Sequence, residues 1–326
     1  MCGFLMLAPQ QNYPSKLFQM ETRLKQILGA LSLSLLAFAS LAFTGLAFAG
    51  PASASDRLQV VASFSILGDM VQQVTGDLAD VTTIVGPDAD AHLYQPNTAD
   101  AKAVAGADIV FVNGLGFETW SDSLISNAGG DASVIVATAG VRPILVDGEI
   151  DPHAWNALTN GVIYVENIAA AMAAADAGNA DTYKANAASY IAKLRALHAS
   201  AAGTFASLPE GGRTVVTAHD AFGYLADSYG LNFLAPVGID TEAEPSASEL
   251  AALIAHLKEA GAGALFVENI TSPALIEQIS KETGLKIGGR LFSDALSERG
   301  GPATSYVAMF EHNLEAIMTA LQDSGS

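Results

Sequence analysis

The segment ADTYKANAASYIAKLRALHASAAGTFA, residues 180–206, constrains the fold more than any other part of the chain. Alanine and other strong helix formers dominate this segment, which therefore predicts one continuous helix. At about 1.5 Å per residue the helix would be about 40 Å long, the height of a small domain. It belongs to a strand-free region, residues 159–207, which Ala-Asp-Ala-Gly-Asn at 175–179 divides into two helices. We expect the second helix to join two lobes as a stiff spine.

Short apolar runs rich in Val and Ile lie on both sides of this helical region. A helix-like stretch follows each run, which indicates parallel βα units in both halves of the chain. The predicted strands are residues 58–62, 81–85, 109–112, 134–137, 214–218, 232–234, 264–267 and 286–291. The sequence therefore predicts an α/β fold of two lobes, each with a mostly parallel sheet flanked by helices, joined by one long rigid backbone helix.

The end of the long helix marks the predicted boundary of the second lobe. The sequence Leu-Pro-Glu-Gly-Gly at 208–212 stops helical propagation because it combines proline with paired glycines. We divide the chain into a leader and signal peptide at residues 1–49, a first α/β lobe at 50–179, the linking helix at 180–207 and a second α/β lobe at 208–326.

Residues 20–49 have the pattern of a secretory signal. Two basic residues follow Met20, which can serve as the start codon, then comes an uncharged run at residues 27–48, and Ala-Phe-Ala ends the segment at Ala49. The uncharged run is long enough to span a bilayer, so an uncleaved anchor is the alternative to cleavage. We expect a cleavable signal peptide and a periplasmic protein.

The charge balance and the cysteine content narrow the classes of function. The chain has 34 acidic and 15 basic residues, a formal net charge of −19, which argues against nucleic acid and anionic lipid as partners. Its single cysteine, Cys2, lies within the leader. A lipid-anchored form is not expected, because no cysteine lies at the predicted cleavage site, and any metal site would have to use His, Asp or Glu.

Three of the six histidines lie in predicted loops. His92 ends the sequence Asp-Ala-His, His153 ends Asp-Pro-His, and His219 lies within Thr-Ala-His-Asp. Open α/β sheets place ligands in loops beyond the carboxyl ends of their strands, so these three histidines are candidate metal ligands. Any one of them alone would more often be a structural or surface residue.

The other three histidines lie within helical patterns, and we expect them to be solvated helix residues: His198, His256 and His312. A fourth candidate ligand is Asp294, which follows the last predicted strand. A lone aspartate at such a position would normally be a turn or helix-capping residue.

Five sequence blocks resemble those of the zinc/manganese-type solute-binding proteins of ABC metal importers, the cluster A-I or metal-binding lipoprotein and adhesin-like family. The blocks are GPDADAHLYQP at 86–96, DPHAW at 151–155, TAHDAFGYL at 217–225, EPS at 244–246 and FSDALS at 292–297. The resemblance covers nearly all of the chain from about residue 58 to residue 321.

This resemblance implies that two α/β lobes hold a metal ion between them. By the matching blocks, His92 and His153 would bind the ion from the first lobe, and His219 and Asp294 from the second. The protein would then be a solute-binding component rather than an enzyme, and a monomer. Its partners would be an ABC transporter permease and ATPase, with a periplasmic metallochaperone as a further candidate.

The chain departs from the family pattern at two places. The first block has Asp-Ala-His where many relatives have Asp-Pro-His, and the His-rich loop of many zinc-binding relatives is missing, since residues 117–150 contain no histidine. Manganese-handling relatives tend to carry Glu at the position of His219. Three imidazoles and one carboxylate favour zinc, because manganese prefers oxygen ligands, so we expect the zinc branch of the family.

Alternatives to zinc carriage are carriage of manganese or iron, and a secreted zinc hydrolase. Four protein ligands would fill a tetrahedral zinc shell, whereas a hydrolase keeps one position open for water. The chain also lacks the His-Glu-x-x-His pattern of many zinc hydrolases. Carboxylates near the candidate ligands could orient their imidazole rings, and the sequence offers four: Asp88, Asp90, Asp151 and Asp220.

Overall fold

The computed structural model describes residues 57–146, 148–208, 213–243, 245–260 and 263–324. The predicted signal segment at 20–49 lies outside the described residues, and so do residues 209–212 of the predicted lobe boundary. Among the described residues, no helix combines the length and the apolar character that crossing a membrane requires.

The first lobe is a four-stranded parallel sheet with helices. Its elements are β1 (Leu58–Phe64), α1 (Ser65–Thr75), β2 (Ala79–Val85), α2 (Thr98–Ala105), β3 (Ile109–Val112), α3 (Ser121–Ala128) and β4 (Ser133–Val136). The strand order is β2-β1-β3-β4, and every neighbouring pair is parallel. The two central strands are almost wholly buried and apolar, as expected for a parallel sheet that is covered on both faces.

A short hairpin and two helices connect the sheets. The hairpin pairs β5 (Leu145–Val146) with β6 (Glu149–Ile150) and was not predicted, since two-residue strands carry no readable alternation. Helix α4 (Leu158–Ala175) ends where the sequence predicted a break, and α5 (Ala180–Ala206) has the predicted bounds and 27 residues.

Helix α5 buries one stripe of side chains along its whole length. The buried residues recur at helical spacing: Tyr183, Ala187, Tyr190, Ile191, Leu194, Ala201 and Phe205. Near its amino-terminal part the helix packs against α1 and α4. Because α5 also contacts helices of the second lobe, the prediction of a helical spine that joins two lobes is confirmed.

The second lobe repeats the parallel architecture. Its elements are β7 (Thr214–Val216), α6 (Gly223–Tyr229), β8 (Asn232–Leu234), α7 (Ala247–Ala260), β9 (Ala264–Glu268), α8 (Ala274–Thr283), β10 (Ile287–Leu291) and α9 (Tyr306–Ser324). The strand order is β10-β9-β7-β8, again parallel throughout. All eight predicted strands are thus present, whereas the division of the chain at residues 179, 207 and 208 stays a prediction.

Substitution of a buried side chain of α5 tests whether this helix packs against both its neighbours as described. Leu194 is 0% exposed. Leu194→Ala should lower the free energy of unfolding by about 2–5 kcal/mol, because the shorter side chain leaves a cavity between the helices. Denaturant titration followed by far-UV circular dichroism measures the change. The neighbouring Lys193 lies on the exposed face, so Lys193→Ala is the control and should change the value by less than about 0.5 kcal/mol. Equal effects of the two substitutions would contradict the proposed packing.

Candidate metal centre

Four side chains from both lobes converge between the two sheets: His92, His153, His219 and Asp294. One possible ligand atom from each residue lies within 4.8 Å of those from all the others. His92 and Asp294 lie in loops after β2 and β10, His219 lies in the loop after β7, and His153 precedes a short 3₁₀ turn. The structure therefore brings together the four candidate ligands identified from the sequence.

The distances between these ligand atoms fit a four-coordinate ion. The Nε2 atom of His92 lies 3.2 Å from Nε2 of His153 and 3.3 Å from Oδ2 of Asp294. The Nε2 atom of His219 lies 3.1 Å from the same Oδ2, and Nε2 of His153 lies 3.7 Å from Oδ1. Bonds of about 2.1 Å in a tetrahedral site separate the ligand atoms by about 3.4 Å. These separations lie close to that value, so the four side chains are near enough to one another to share one ion.

Two further carboxylates orient two of the imidazole rings. Oδ1 of Asp151 lies 2.8 Å from Nδ1 of His153 and also accepts a hydrogen bond from the backbone N–H of that histidine. Oε2 of Glu268 lies 2.6 Å from Nδ1 of His219, while Oε1 accepts hydrogen bonds from the backbone N–H groups of Ala218 and His219. At His153, a proton held on Nδ1 by Asp151 leaves the lone pair of Nε2 directed into the cluster, as metal binding requires. Glu268 places a negative charge beside Nδ1 of His219.

The pocket is almost closed to solvent. The residues His153, His219 and Asp294 are 0% exposed, and the side chain of His92 is 5% exposed. Oδ1 of Asp294 is buried without a hydrogen-bond partner. A buried, unpaired carboxylate oxygen is costly, so this atom is suited to a cation that would sit among the four groups.

The charges in the pocket favour a positive ion there. Burial alone would raise the pKa of the Asp294 carboxyl, but the nearby His219 and His153 hold that pKa well below its usual value. Burial alone would lower the pKa of His219, but Glu268 and Asp294 raise that pKa well above its usual value. Without a metal ion, the pocket therefore favours a proton on His219, which lies between two carboxylates.

Aromatic side chains form one wall of the pocket. The ring of Phe117 packs edge-on against His92, with centroids 4.9 Å apart, and Trp155 packs in the same way against His153 at 5.2 Å. The indole Nε1–H of Trp155 donates a hydrogen bond of 2.8 Å to the backbone oxygen of Ser293. This bond ties the segment that carries His153 to the loop that carries Asp294.

Two of the carboxylates predicted to support the imidazole rings contact the candidate ligands in different ways. Asp151 orients His153, as predicted, whereas Asp90 accepts a hydrogen bond of 2.9 Å from the backbone N–H of His92 instead of contacting its ring. The sequence prediction did not include Glu268, although this residue directly follows the predicted strand at residues 264–267. Its contact with His219 depends on the pairing of β9 with β7, which no local pattern indicates.

The prediction that the remaining histidines are solvated is confirmed for one of the three. His256 is exposed on α7. His198 is half-buried, and its Nδ1 lies 3.2 Å from the hydroxyl oxygen of Tyr229. His312 is also half-buried, and its Nε2 donates a hydrogen bond of 2.9 Å to the backbone oxygen of Arg290. Both lie on helices, as predicted, and are partly exposed, but each also has a polar partner on a neighbouring element that the sequence did not predict.

Comparisons with known proteins agree with this architecture. The chain is 34% identical over 314 residues to the iron ABC transporter substrate-binding lipoprotein MtsA of Streptococcus pyogenes serotype M1, and the alignment covers 93% of this chain and 99% of that protein. The Mn-bound periplasmic metal binding protein from Candidatus Liberibacter asiaticus is similar with a TM-score of 0.75 and 33% identity, covering 81% of this chain and 100% of that one. The periplasmic zinc binding protein TroA from Treponema pallidum is similar with a TM-score of 0.78 and 27% identity, covering 81% and 99%.

A family profile matches most of the part of the chain that the structure describes. Residues 60–320 match the profile of the family described as zinc-uptake complex component A, periplasmic, or ZnuA. The match includes both sheets, the helical spine and all four converging side chains. By this match and by its identity to MtsA over nearly the whole of both chains, the protein belongs to the ZnuA family.

Proposed function

We propose that this protein binds Zn²⁺ between its two lobes and delivers it to an ABC importer. The observation that carries the proposal is the convergence of His92, His153, His219 and Asp294 in a buried pocket, with their possible ligand atoms within 4.8 Å of one another. Membership of the ZnuA family supports the same role, and the name of MtsA describes a substrate-binding component of an ABC transporter. The expected partners are accordingly a permease and its ATPase.

The donor set supports zinc as the ion. Three imidazole nitrogens and one carboxylate oxygen suit zinc, whereas manganese prefers carboxylate and water oxygens. The names of similar proteins do not agree on one metal, since they specify iron, manganese and zinc in different cases. Manganese and iron are therefore the alternatives that an experiment has to separate from zinc.

The closed shell supports carriage of the ion over catalysis. Four protein ligands fill a tetrahedral zinc shell, so no position is left for a reactive water molecule. Burial of the pocket also keeps a substrate away from the ion. We propose that the protein is exported by a cleavable signal and acts in the periplasm, in line with the signal pattern at residues 20–49. The similar MtsA is named a lipoprotein.

Elemental analysis tests the identity of the metal. Protein purified without added metal should contain about one zinc ion per chain and little manganese or iron, because the nitrogen-rich donor set selects zinc. Inductively coupled plasma mass spectrometry of the purified protein measures all three metals at once. Retention of manganese or iron in place of zinc would overturn the choice of metal but not the carriage of a metal ion.

Single substitutions test the four ligands. His92→Ala, His153→Ala and His219→Ala should each weaken zinc binding by about tenfold or more, because each removes one of the four bonds. Asp294→Ala should weaken it less, since water can replace a single carboxylate. Competition with a fluorescent zinc chelator gives the dissociation constants.

The exposed His256 provides the matched control for these variants. His256→Ala removes an imidazole from the same lobe as His219 and should leave zinc binding unchanged. If the ligand variants bound zinc as tightly as the control, the four side chains would not be the site.

Acidification should release the metal ion. Because Glu268 and Asp294 raise the pKa of His219, the doubly protonated ring is favoured in the metal-free protein, and zinc has to displace the proton on Nε2. Since proton binding strengthens as pH falls, zinc affinity should drop by about tenfold per pH unit for each proton displaced. The same chelator competition at about pH 5.5 and about pH 7.5, corrected for protonation of the chelator, measures this. Equal affinities at the two pH values would refute proton displacement.

A further inference from the structure

The loop between β2 and α2, which carries His92, contains a residue with an unfavourable backbone conformation. Asp88 has a φ of 51°, and among the described residues the only other non-glycine residue with positive φ is Leu115. Side chains disfavour the left-handed region, although aspartate tolerates it better than most residues do. A non-glycine residue at this position indicates that its side chain makes contacts that offset the backbone cost.

Those contacts all cross to the second lobe. Oδ1 of Asp88 accepts a hydrogen bond of 2.9 Å from the Nδ2–H of Asn269, and Oδ2 accepts one of 3.0 Å from the backbone N–H of Glu298. The backbone N–H of Asp88 donates a hydrogen bond of 2.8 Å to the backbone oxygen of Leu296. Because Leu296 and Glu298 follow Asp294 in the same loop, Asp88 joins the loops that carry two of the four proposed ligands.

A second aspartate, Asp90, links the backbone of His92 to the second lobe. Oδ2 of Asp90 accepts a hydrogen bond of 2.7 Å from the hydroxyl group of Thr241, again across the two lobes. Its Oδ1 accepts the hydrogen bond from the backbone N–H of His92. The position of His92 therefore depends on two carboxylates whose partners lie in the opposite lobe.

The side-chain contacts of Asp88 differ in burial from the hydrogen bonds that Trp155 and Asn156 make between the lobes. The side chains of Trp155 and Asn156 are 0% and 1% exposed, and they donate hydrogen bonds to the backbone oxygens of Ser293 and Ala221. Asp88 and Glu298, by contrast, are exposed. Hydrogen bonds at the surface open at a lower free energy than buried ones, because water replaces the lost partner. The lobes can thus part at Asp88 while the buried contacts persist.

We propose that Asp88 acts as a latch, a positioning residue that holds the His92 loop against the Asp294 loop and thereby limits the rate at which the bound metal ion leaves. This inference rests on the proposed function. His92 is the one ligand of the four with any side-chain exposure, so opening of the latch uncovers the metal centre from the side of His92. Hydrogen bonds to a charged carboxylate are stronger than those between neutral groups, which makes Asp88 suited to this role.

Two substitutions of Asp88 separate the effect of its side-chain hydrogen bonds on zinc release from the effect of its left-handed backbone conformation. Asp88→Asn keeps the shape of the side chain, but its amide nitrogen replaces one oxygen and faces a hydrogen-bond donor. Asp88→Gly removes the side chain and relieves the left-handed conformation, so its effect does not arise from strain. Both variants should release zinc about tenfold faster than the unchanged protein in stopped-flow mixing of the zinc-loaded full chain with excess chelator.

A third substitution tests the direct partner of the latch. Asn269→Ala should accelerate release by a smaller factor, because the hydrogen bond from Glu298 remains. Adding Asn269→Ala to Asp88→Gly should accelerate release by less than the product of the two single effects, since both changes remove the hydrogen bond between these side chains, while Asn269→Ala also removes the one to Ala295. Fully multiplicative effects would show that the two residues act independently, which would contradict the latch.

The control is Asp131→Asn, an exposed aspartate in the turn before β4. This variant should release zinc at the unchanged rate, and the thermal unfolding midpoint of the metal-free protein should be the same for the Asp88 variants and for Asp131→Asn within about 2 °C, because both aspartates are exposed. Unchanged release from both Asp88 variants, or faster release accompanied by a clear loss of metal-free stability, would overturn the latch. If the unchanged protein bound neither zinc, manganese nor iron, the proposed function would fail and the latch with it.

Discussion

Burial of the Asp294 carboxylate among three imidazoles is the constraint on which the rest of the structure depends. A carboxylate that water cannot reach has to meet positive charge or hydrogen-bond donors, or its burial becomes too costly. Here its partners come from loops that are up to about two hundred positions away along the chain. Two parallel sheets satisfy the constraint, because the loops that carry His92, His219 and Asp294 all follow strands of these sheets.

The contacts between the lobes form two groups with different mechanical roles. Buried bonds from Trp155 and Asn156, together with the packing of α5 against both lobes, hold the two sheets at one spacing. A continuous helix of 27 residues contains no break at which the two lobes could hinge. Changes at the metal centre therefore have to come from its loops, of which the one that carries His92 lies nearest to solvent.

The sequence predicted secondary structure best where the cause of that structure is local composition. Alanine-rich composition gave the bounds of α5, and apolar runs gave eight strands, because these signals are local. The convergence of the ligands was predicted from the sequence blocks that resemble the family, not from local composition. Glu268 escaped prediction because a glutamate at a strand end has no special local pattern, and its role arises only from the neighbouring β7. The partners of His198 and His312 depend likewise on packing between elements distant in sequence.

The pairing of each buried imidazole with its own carboxylate has a consequence for metal uptake. If His219 were replaced by a glutamate, the new carboxylate would face Glu268, which contacts the imidazole at 2.6 Å and lies buried. Two buried carboxylates side by side repel each other, so one of them would take up a proton. A divalent ion entering such a pocket would have to displace this shared proton, so the choice of residue at position 219 sets how strongly metal uptake depends on acidity.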